Sequence, residues 1–124
     1  FCEQNASEAG EFTSVLAAYS REWGELTMKI GESAMENPDE VGAAAVDYLM
    51  YGGYVILAYF WAQMAVLAQK KLAAGEGDKE FYEAKLYTAR FYFERLLPRT
   101  ATLKETMMSG SDNLMELDEA MFAF

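Results

Sequence analysis

The residues that most often carry catalysis are missing or isolated in this sequence. It contains no histidine, which excludes Ser-His-Asp and Cys-His nucleophilic catalysis and the usual histidine-rich metal sites. Its one cysteine, Cys2, lies beside the terminus and is interpreted as an incidental thiol. A single cysteine fits a reducing compartment, so we expect a cytoplasmic protein. We also expect no catalytic, cofactor-binding or metal-binding residue in this chain.

Acidic side chains are the remaining candidates for proton-transfer chemistry. Glu22 with Glu25 and Asp118 with Glu119 are paired carboxylates, but a general acid needs a dry, oriented site. The carboxylate metal sites of helical bundles also use a Glu-x-x-His motif, which needs a histidine. We interpret these pairs as charges on solvated helix faces.

The charge balance also argues against phosphate ligands. Twenty acidic residues against ten basic ones give a net charge of −10, which repels nucleic acid and disfavours an anionic membrane surface. Gly75-Glu76-Gly77 is predicted as a helix–helix turn, not a phosphate-binding loop. The basic residues between Lys70 and Arg99 are predicted to form ion pairs such as Lys79–Glu83, the alternative being docking onto an acidic surface.

The elements that must position these side chains are predicted to be helices throughout. In the first helix, predicted over Glu11–Met35, apolar residues recur in steps of four and three from Phe12 to Ile30, which lines one helix face. Residues 1–10 are predicted as a tail or helix lead-in. Residues 11–124 are predicted as one helical bundle domain, a fragment of a larger enzyme, and a start at Phe1 instead of Met agrees with a fragment.

Capping residues, glycines and prolines predict where the other helices begin and end. Asn37-Pro38-Asp39-Glu40 supplies a cap, a proline at the first helical position and an acid for a capping box. The second helix then runs to Ala74, and a third is capped by Asp78 and closed by Gly110. Pro98 is expected to kink this third helix. The fold class is therefore all-α, an up-down bundle of three long helices plus a short C-terminal helix.

The second helix contains a segment without any charge, Leu49 to Ala68, which is twenty residues long. At about 1.5 Å per residue it could cross a bilayer, and a membrane anchor is one alternative. Tyrosines such as Tyr54 and Tyr59 recur into its middle, whereas membrane proteins place tyrosine at the two interfaces. A helix that is apolar on all sides is typical of a buried central helix, so we favour that interpretation.

Two flanking helices cannot cover such a helix completely, so part of it is predicted to bind a further partner. The glycine pair Gly52-Gly53 indicates close backbone approach by a neighbour, with a flexible kink as the alternative. The candidate interface residues are Tyr51, Tyr54, Leu57, Ala58, Trp61 and Ala65.

Three stretches of the sequence resemble the C-terminal domain of the larger bacterial acyl-CoA dehydrogenases, including the methylthiopropanoyl-CoA dehydrogenase type. They are AVDYLMYGGYVILAYFWAQMA at 45–65, EAKLYTARFYFERLLPRT at 83–100 and SGSDNLMELDEAMF at 109–122. The resemblance covers nearly the whole chain from about Phe12, in the same order. None of these stretches is a catalytic signature, so the resemblance indicates a type of domain and not a substrate.

The resemblance implies a parent enzyme that carries FAD and desaturates an acyl-CoA thioester between its α and β carbons. The flavin-binding β domain, the acyl-CoA pocket and the glutamate base of that family have no counterpart in this sequence. We therefore interpret the chain as a noncatalytic accessory or assembly domain with no cofactor of its own. Its expected partners are the remainder of the parent chain and the other subunits of a homo-oligomer. The alternative is a free-standing helical module that self-associates.

Overall fold

The structure is a computed structural model, and it describes residues 1–122. Within that range every regular element is helical, which confirms the predicted all-α fold. The α-helices are α1 (Ala6–Glu36), α2 (Asp39–Ala74), α3 (Lys79–Phe91), α4 (Thr100–Met107) and α5 (Asp112–Met115). Short 3-10 turns at Glu3–Asn5, Leu97–Arg99 and Glu119–Phe122 and a π-helical turn at Tyr92–Leu96 complete the chain. The last two residues of the predicted 11–124 domain lie outside the described range.

Helix α1 begins five residues before the predicted start, at Ala6 instead of Glu11. The lead-in lacks the apolar periodicity that identifies a helix, although its small and acidic residues are compatible with one. At Ala9 the backbone leaves helical geometry, with φ −138° and ψ 40°. This kink separates the lead-in from the main helix, whose predicted apolar face, including Phe12 and Leu16, is buried.

The turn between α1 and α2 is only partly built as predicted. Asn37 Oδ1 accepts a hydrogen bond from the Asp39 backbone N–H at 3.1 Å, as a capping side chain does. The predicted capping box is wrong, because the carboxylate of Glu40 binds elsewhere. Its Oε1 accepts from the Ser111 N–H at 3.1 Å and from Ser111 Oγ at 2.7 Å. Glu40 therefore ties the C-terminal segment to this turn.

The end of α2 and the start of α3 lie at the predicted capping residues. Gly75 ends α2 in the left-handed region with φ 66°, and its N–H donates to the Leu72 carbonyl at 3.2 Å. Asp78 caps α3, since its Oδ1 accepts from the N–H groups of Glu80 at 3.0 Å and Phe81 at 3.3 Å. Both predictions are confirmed.

Pro98 divides the predicted third helix into α3 and α4. Because proline has no N–H to donate and its ring crowds the preceding turn, the hydrogen-bond ladder loosens ahead of it. The chain passes through the π-helical and 3-10 turns before α4 begins at Thr100. The chain stays helical through this region, but the single kinked helix that was predicted is divided into α3 and α4. Gly110, with φ 83°, separates α4 from the short α5.

Helix α2 is the centre of the bundle and packs against α1, α3 and α4. The helices α1 and α2 are antiparallel, because residues later in α1 bond to residues earlier in α2. Examples are the pairs Glu22–Tyr51 and Thr27–Tyr48. The two flanking layers also meet, because the rings of Phe12 and Phe93 contact edge to face at 5.2 Å. The up-down arrangement predicted from the short connections is confirmed.

Candidate docking surface

The six residues predicted as an interface lie on different sides of α2. Tyr51, Ala58 and Ala65 are 0% exposed and are spaced seven residues apart, so they form one line facing the flanking helices. They belong to the packing of the bundle itself and are not accessible to a further partner. Small and aromatic residues occur in cores and in interfaces alike, so their types could not distinguish the two roles.

Tyr54 and Trp61 lie at the border between the core and the surface. Both are half-buried and pack against the core. The backbone carbonyl of Tyr54 accepts a hydrogen bond from the Tyr92 hydroxyl at 2.7 Å, and the Trp61 ring stacks over Tyr92 with centroids 6.4 Å apart. Burial and the adjacent Tyr54 raise the pKa of Tyr92 to about 12. Tyr92 therefore remains a protonated donor and joins the π-helical turn to α2.

Leu57 is the one predicted interface residue on the accessible side of α2, at 50% exposure. It belongs to a row of apolar side chains that are 47% to 73% exposed and recur mainly in steps of three, four and seven. This row, which we call the outer face, consists of Val46, Leu49, Met50, Ile56, Leu57, Phe60 and Leu67. It is about 32 Å long at 1.5 Å per residue. Contiguous apolar surfaces of this extent mark interaction sites.

By length and composition alone α2 could cross a bilayer, although central helices of soluble proteins satisfy the same criteria. Within this chain, 28% of its most apolar stretch is buried. The flanking helices thus cover one side of α2 and leave the outer face uncovered. That a further partner binds this exposed side stays a prediction.

A polar cluster joins α1, α2 and α4. The Tyr51 hydroxyl donates to Glu22 Oε1 at 2.6 Å, and Lys104 Nζ donates to Glu22 Oε2 at 2.6 Å. Partial burial raises the pKa of Glu22, but the hydrogen bonds from Lys104 and Tyr51 outweigh it and leave the pKa below its usual value. Glu22 is thus a partly exposed charge, with 32% of its side chain accessible, that also joins three helices. Glu25, its predicted pair, is exposed.

Some of the basic residues between Lys70 and Arg99 form ion pairs within the bundle. Lys79 and Glu83 pair at 3.6 Å, as predicted. Arg90 binds Glu11 through two hydrogen bonds of 3.0 and 3.1 Å, which joins α3 to α1. Among residues 1–122, no group of three or more His, Cys, Asp or Glu side chains is placed to hold a metal ion.

Two grooves follow each other along the seam between α1 and α2. The first, of about 630 Å³, lies between residues 16–23 of α1 and 55–59 of α2, and its wall includes Phe1, Cys2 and Glu3. The second, of about 570 Å³, lies between residues 27–31 of α1 and 41–49 of α2. Their α2 walls include Leu49 and Ile56, so the grooves adjoin the outer face.

These features define a helical bundle with polar contacts between its own helices and an exposed apolar face on α2. The chain matches the family described as "Acetyl-CoA dehydrogenase C-terminal like" over residues 1–118. It belongs to this family, the C-terminal domains of acyl-CoA dehydrogenases, which confirms the resemblance.

A relative of known type agrees with this assignment. The chain is 35% identical over 85 residues to the broad-specificity linear acyl-CoA dehydrogenase FadE5 of Mycobacterium tuberculosis. The matched region covers 67% of this chain and 14% of that protein. The chain therefore corresponds to a small part of the length of the curated relative it matches.

Proposed function

We propose that this chain is the noncatalytic C-terminal accessory domain of an FAD-dependent acyl-CoA dehydrogenase and that it acts in assembly of that enzyme. The observation that carries the proposal is the outer face of α2, an apolar surface on a domain whose family is defined by attachment to a dehydrogenase. The parent reaction would be α,β-dehydrogenation of an acyl-CoA thioester in the cytoplasm. FAD, the thioester pocket and the base would belong to the remainder of the parent chain.

The described residues do not fit a flavin site. A pyrophosphate is usually bound by a glycine-rich turn at a helix N-terminus. The turn that contains Gly75 and Gly77 does precede α3, but the carboxylate of Asp78 already accepts hydrogen bonds from the first N–H groups of that helix. The grooves along α1 are lined mainly by apolar and small side chains. A bound flavin would therefore have to be held by other parts of the parent enzyme.

In this proposal the outer face of α2 packs against the remainder of the parent dehydrogenase, either in the same chain or in a second subunit of a homo-oligomer. Covering half-exposed leucine and phenylalanine side chains removes apolar area from water, at about 25 cal/mol per Å². Family membership makes the dehydrogenase core the partner that is always present at a fixed stoichiometry. The membrane is a weaker candidate because the net charge of −10 is repelled by anionic lipids.

The test is to express the intact open reading frame that contains this chain and a version from which residues 1–124 are deleted. We expect the intact protein to show a flavin absorbance band and to reduce an electron acceptor when acyl-CoA is added. The deletion should lower solubility or change the oligomeric state, because it uncovers the partner of the outer face. A reading frame without a dehydrogenase core, or a flavin band in the 124-residue chain alone, would contradict the proposal.

A further inference from the structure

The exposed side of α2 carries a strict seven-residue repeat. Starting at Asp39 and advancing by three and four residues in turn, the chain reaches Lys70, and every position on the way is exposed. The positions between these two ends carry no charge and include most of the outer face. A repeat of seven residues keeps one side of a helix towards a neighbour whose axis is nearly aligned with it. We call these positions, from Asp39 to Lys70, the heptad row.

The two ends of the heptad row have opposite charges. Asp39 begins α2 and Lys70 lies near its end, and neither forms an ion pair with another of residues 1–122. The Lys70 ammonium donates a hydrogen bond of 3.3 Å to Asn5 Oδ1 and remains exposed. A second α2 helix packed in parallel would bring like charges together at both ends, whereas an antiparallel one brings Asp39 to Lys70. The heptad row is therefore complementary to itself in the antiparallel direction.

We propose that two copies of this domain pair through their heptad rows, with the two α2 helices antiparallel about a two-fold axis. The inference rests on the proposed function and specifies it, because it assigns the outer face to α2 of the second subunit. A different partner would have to supply an aligned apolar helix with this repeat and with opposite charges at its ends, and α2 itself has both properties. In a parent homo-oligomer the two copies are held near each other, so a contact between single helices can form there without being strong in isolation.

The end charges also define the register of the two helices. With Asp39 opposite Lys70 of the second copy, the two heptad rows overlap along their whole length. A shift by one repeat in one direction would place Lys70 against Val46, a charge against an apolar side chain. A shift in the other direction would place Leu67 beyond the start of the second α2 helix. The register with paired charges therefore covers the most apolar surface.

The centre of the contact fits the same register. Leu49 lies opposite Phe60 of the second copy, and Gly53 lies opposite Ile56. A Cβ atom at Gly53 would meet no atom within 4 Å, so the space over this glycine is open to the isoleucine side chain of the other helix. The two-fold axis repeats this pairing, and each glycine receives one isoleucine.

The experiment uses the intact parent protein with cysteines introduced at Val46 and Gln63, which lie opposite each other across the two copies in this register. Within one helix these residues are about 25 Å apart at 1.5 Å per residue, and a disulfide needs Cα atoms within about 7 Å. In a Cys2→Ser background, Val46→Cys with Gln63→Cys can therefore form a 46–63 disulfide only between copies. Both single variants are matched controls, since they would cross-link 46 to 46 or 63 to 63 in a parallel pair. By mass spectrometry after mild oxidation, we expect the 46–63 peptide at least tenfold above either of those products.

A charge reversal provides a second readout. In the double-cysteine protein, Asp39→Lys would face Lys70 of the second copy and should slow formation of the 46–63 disulfide at least threefold. Adding Lys70→Asp should restore the original rate, because the two ends are again opposite in charge. A rate that responds to neither change would overturn the register.

Two cross-linking results would overturn the pairing itself. One is an assembled, active flavoprotein that yields no 46–63 peptide, because the outer face would then meet another part of the enzyme. The other is equal cross-linking in the single variants, which would indicate parallel helices. Either result refutes only this inference, whereas a reading frame without a dehydrogenase core refutes the proposed function.

Discussion

Glu22 joins three helices although its position in the sequence suggests an ordinary surface charge. Its partners Tyr51 and Lys104 lie 29 and 82 residues away. The helical periodicity of α1 places Glu22 beside Arg21 and Glu25 on the polar side, and nothing local indicates that two other helices meet there. Tyr51 itself is 0% exposed, so its hydroxyl needs an acceptor inside the bundle.

Substitutions at Glu22 should therefore destabilise the bundle. Glu22→Ala leaves the Tyr51 hydroxyl without a partner in the core, and we expect the free energy of unfolding to fall by about 2 kcal/mol at pH 7. Glu22→Gln keeps an acceptor and should cost about 1 kcal/mol. Urea titrations followed by circular dichroism would measure both. Glu25→Gln, at an exposed position, is the control; an equal effect there would contradict the role of Glu22.

The same cluster predicts a dependence on acid. Because the folded-state pKa of Glu22 lies below its unfolded value of 4.5, its contribution to stability is complete above pH 4.5 and is lost as the pH falls through the lowered folded pKa. The difference in unfolding free energy between wild type and Glu22→Gln should therefore shrink below pH 4.5. A difference that stays constant from pH 7 to pH 3 would show that the charge of Glu22 plays no part.

The contribution of Tyr92 to stability should be lost at alkaline pH, whereas that of Glu22 is lost in acid. Burial raises the pKa of Tyr92 from 10.0 to about 12 in the folded state. The unfolded chain therefore loses this proton first, so the stabilisation is present below pH 10 and is lost as the pH rises towards 12. The slope of stability against pH in this range should be smaller in Tyr92→Phe. An unchanged slope would indicate that other groups control alkaline unfolding.

At the scale of elements, α2 shows both what a sequence can predict and where prediction stops. Its end at Gly75 follows from the chemistry of a single residue and was predictable, as was a disturbance of the helix at Pro98. Which side of α2 faces inward was not, because a helix that is apolar all round has no periodicity to separate core from surface. For this reason Tyr51 and Ala58 were predicted as interface residues although they are buried. The partner of Glu40 could not be predicted either, because Ser111 is 71 residues away in the sequence.

The adjacent glycines of α2 should respond differently to the same substitution. A Cβ at Gly52 would lie 2.6 Å from Cζ2 of Trp23, whereas a Cβ at Gly53 would meet no atom within 4 Å. A neighbour does approach Gly52 closely, but it is the indole side chain of Trp23, whereas the glycine pair had predicted a backbone. Gly52→Ala should lower the free energy of unfolding by about 1–3 kcal/mol, because the rigid indole must move. Gly53→Ala should raise it by about 0.5–1 kcal/mol through helix propensity.

Thermal or urea unfolding of the two purified variants would measure this pair. Because both positions lie within the same turn of α2, the Gly53 variant is the control for the intrinsic effect of alanine. Equal shifts of the same sign would mean that Trp23 does not pack closely on Gly52.

At the scale of the whole molecule, the bundle has a packed core but leaves an apolar face of α2 exposed. The flanking helices α1, α3 and α4 satisfy one side of α2, and the outer face offers a second apolar surface that is not matched by any described part of the chain. Under the proposed function, the remainder of the parent enzyme covers that side. Folding of the domain and docking of the domain should therefore be separable by mutation.

Leu57→Asp tests that separation. Leu57 is 50% exposed, so in the 124-residue chain the free energy of unfolding should change by about 0.5 kcal/mol or less. In the intact parent protein the aspartate would be buried against an apolar partner, and we expect docking to weaken by about 2 kcal/mol or more. Tyr54→Asp, at a half-buried position, should instead destabilise the chain itself.

Limited proteolysis between the domain and the rest of the parent chain measures docking, since an undocked domain exposes its connection. Cleavage should accelerate in Leu57→Asp and stay at the wild-type rate in Met28→Asp, a control on α1 that is 66% exposed and lies outside the outer face. If both aspartate variants are cleaved at the wild-type rate, the outer face is not the surface that meets the enzyme. If Leu57→Asp unfolds the isolated chain, Leu57 contributes to the core, and folding and docking are not separate on this helix.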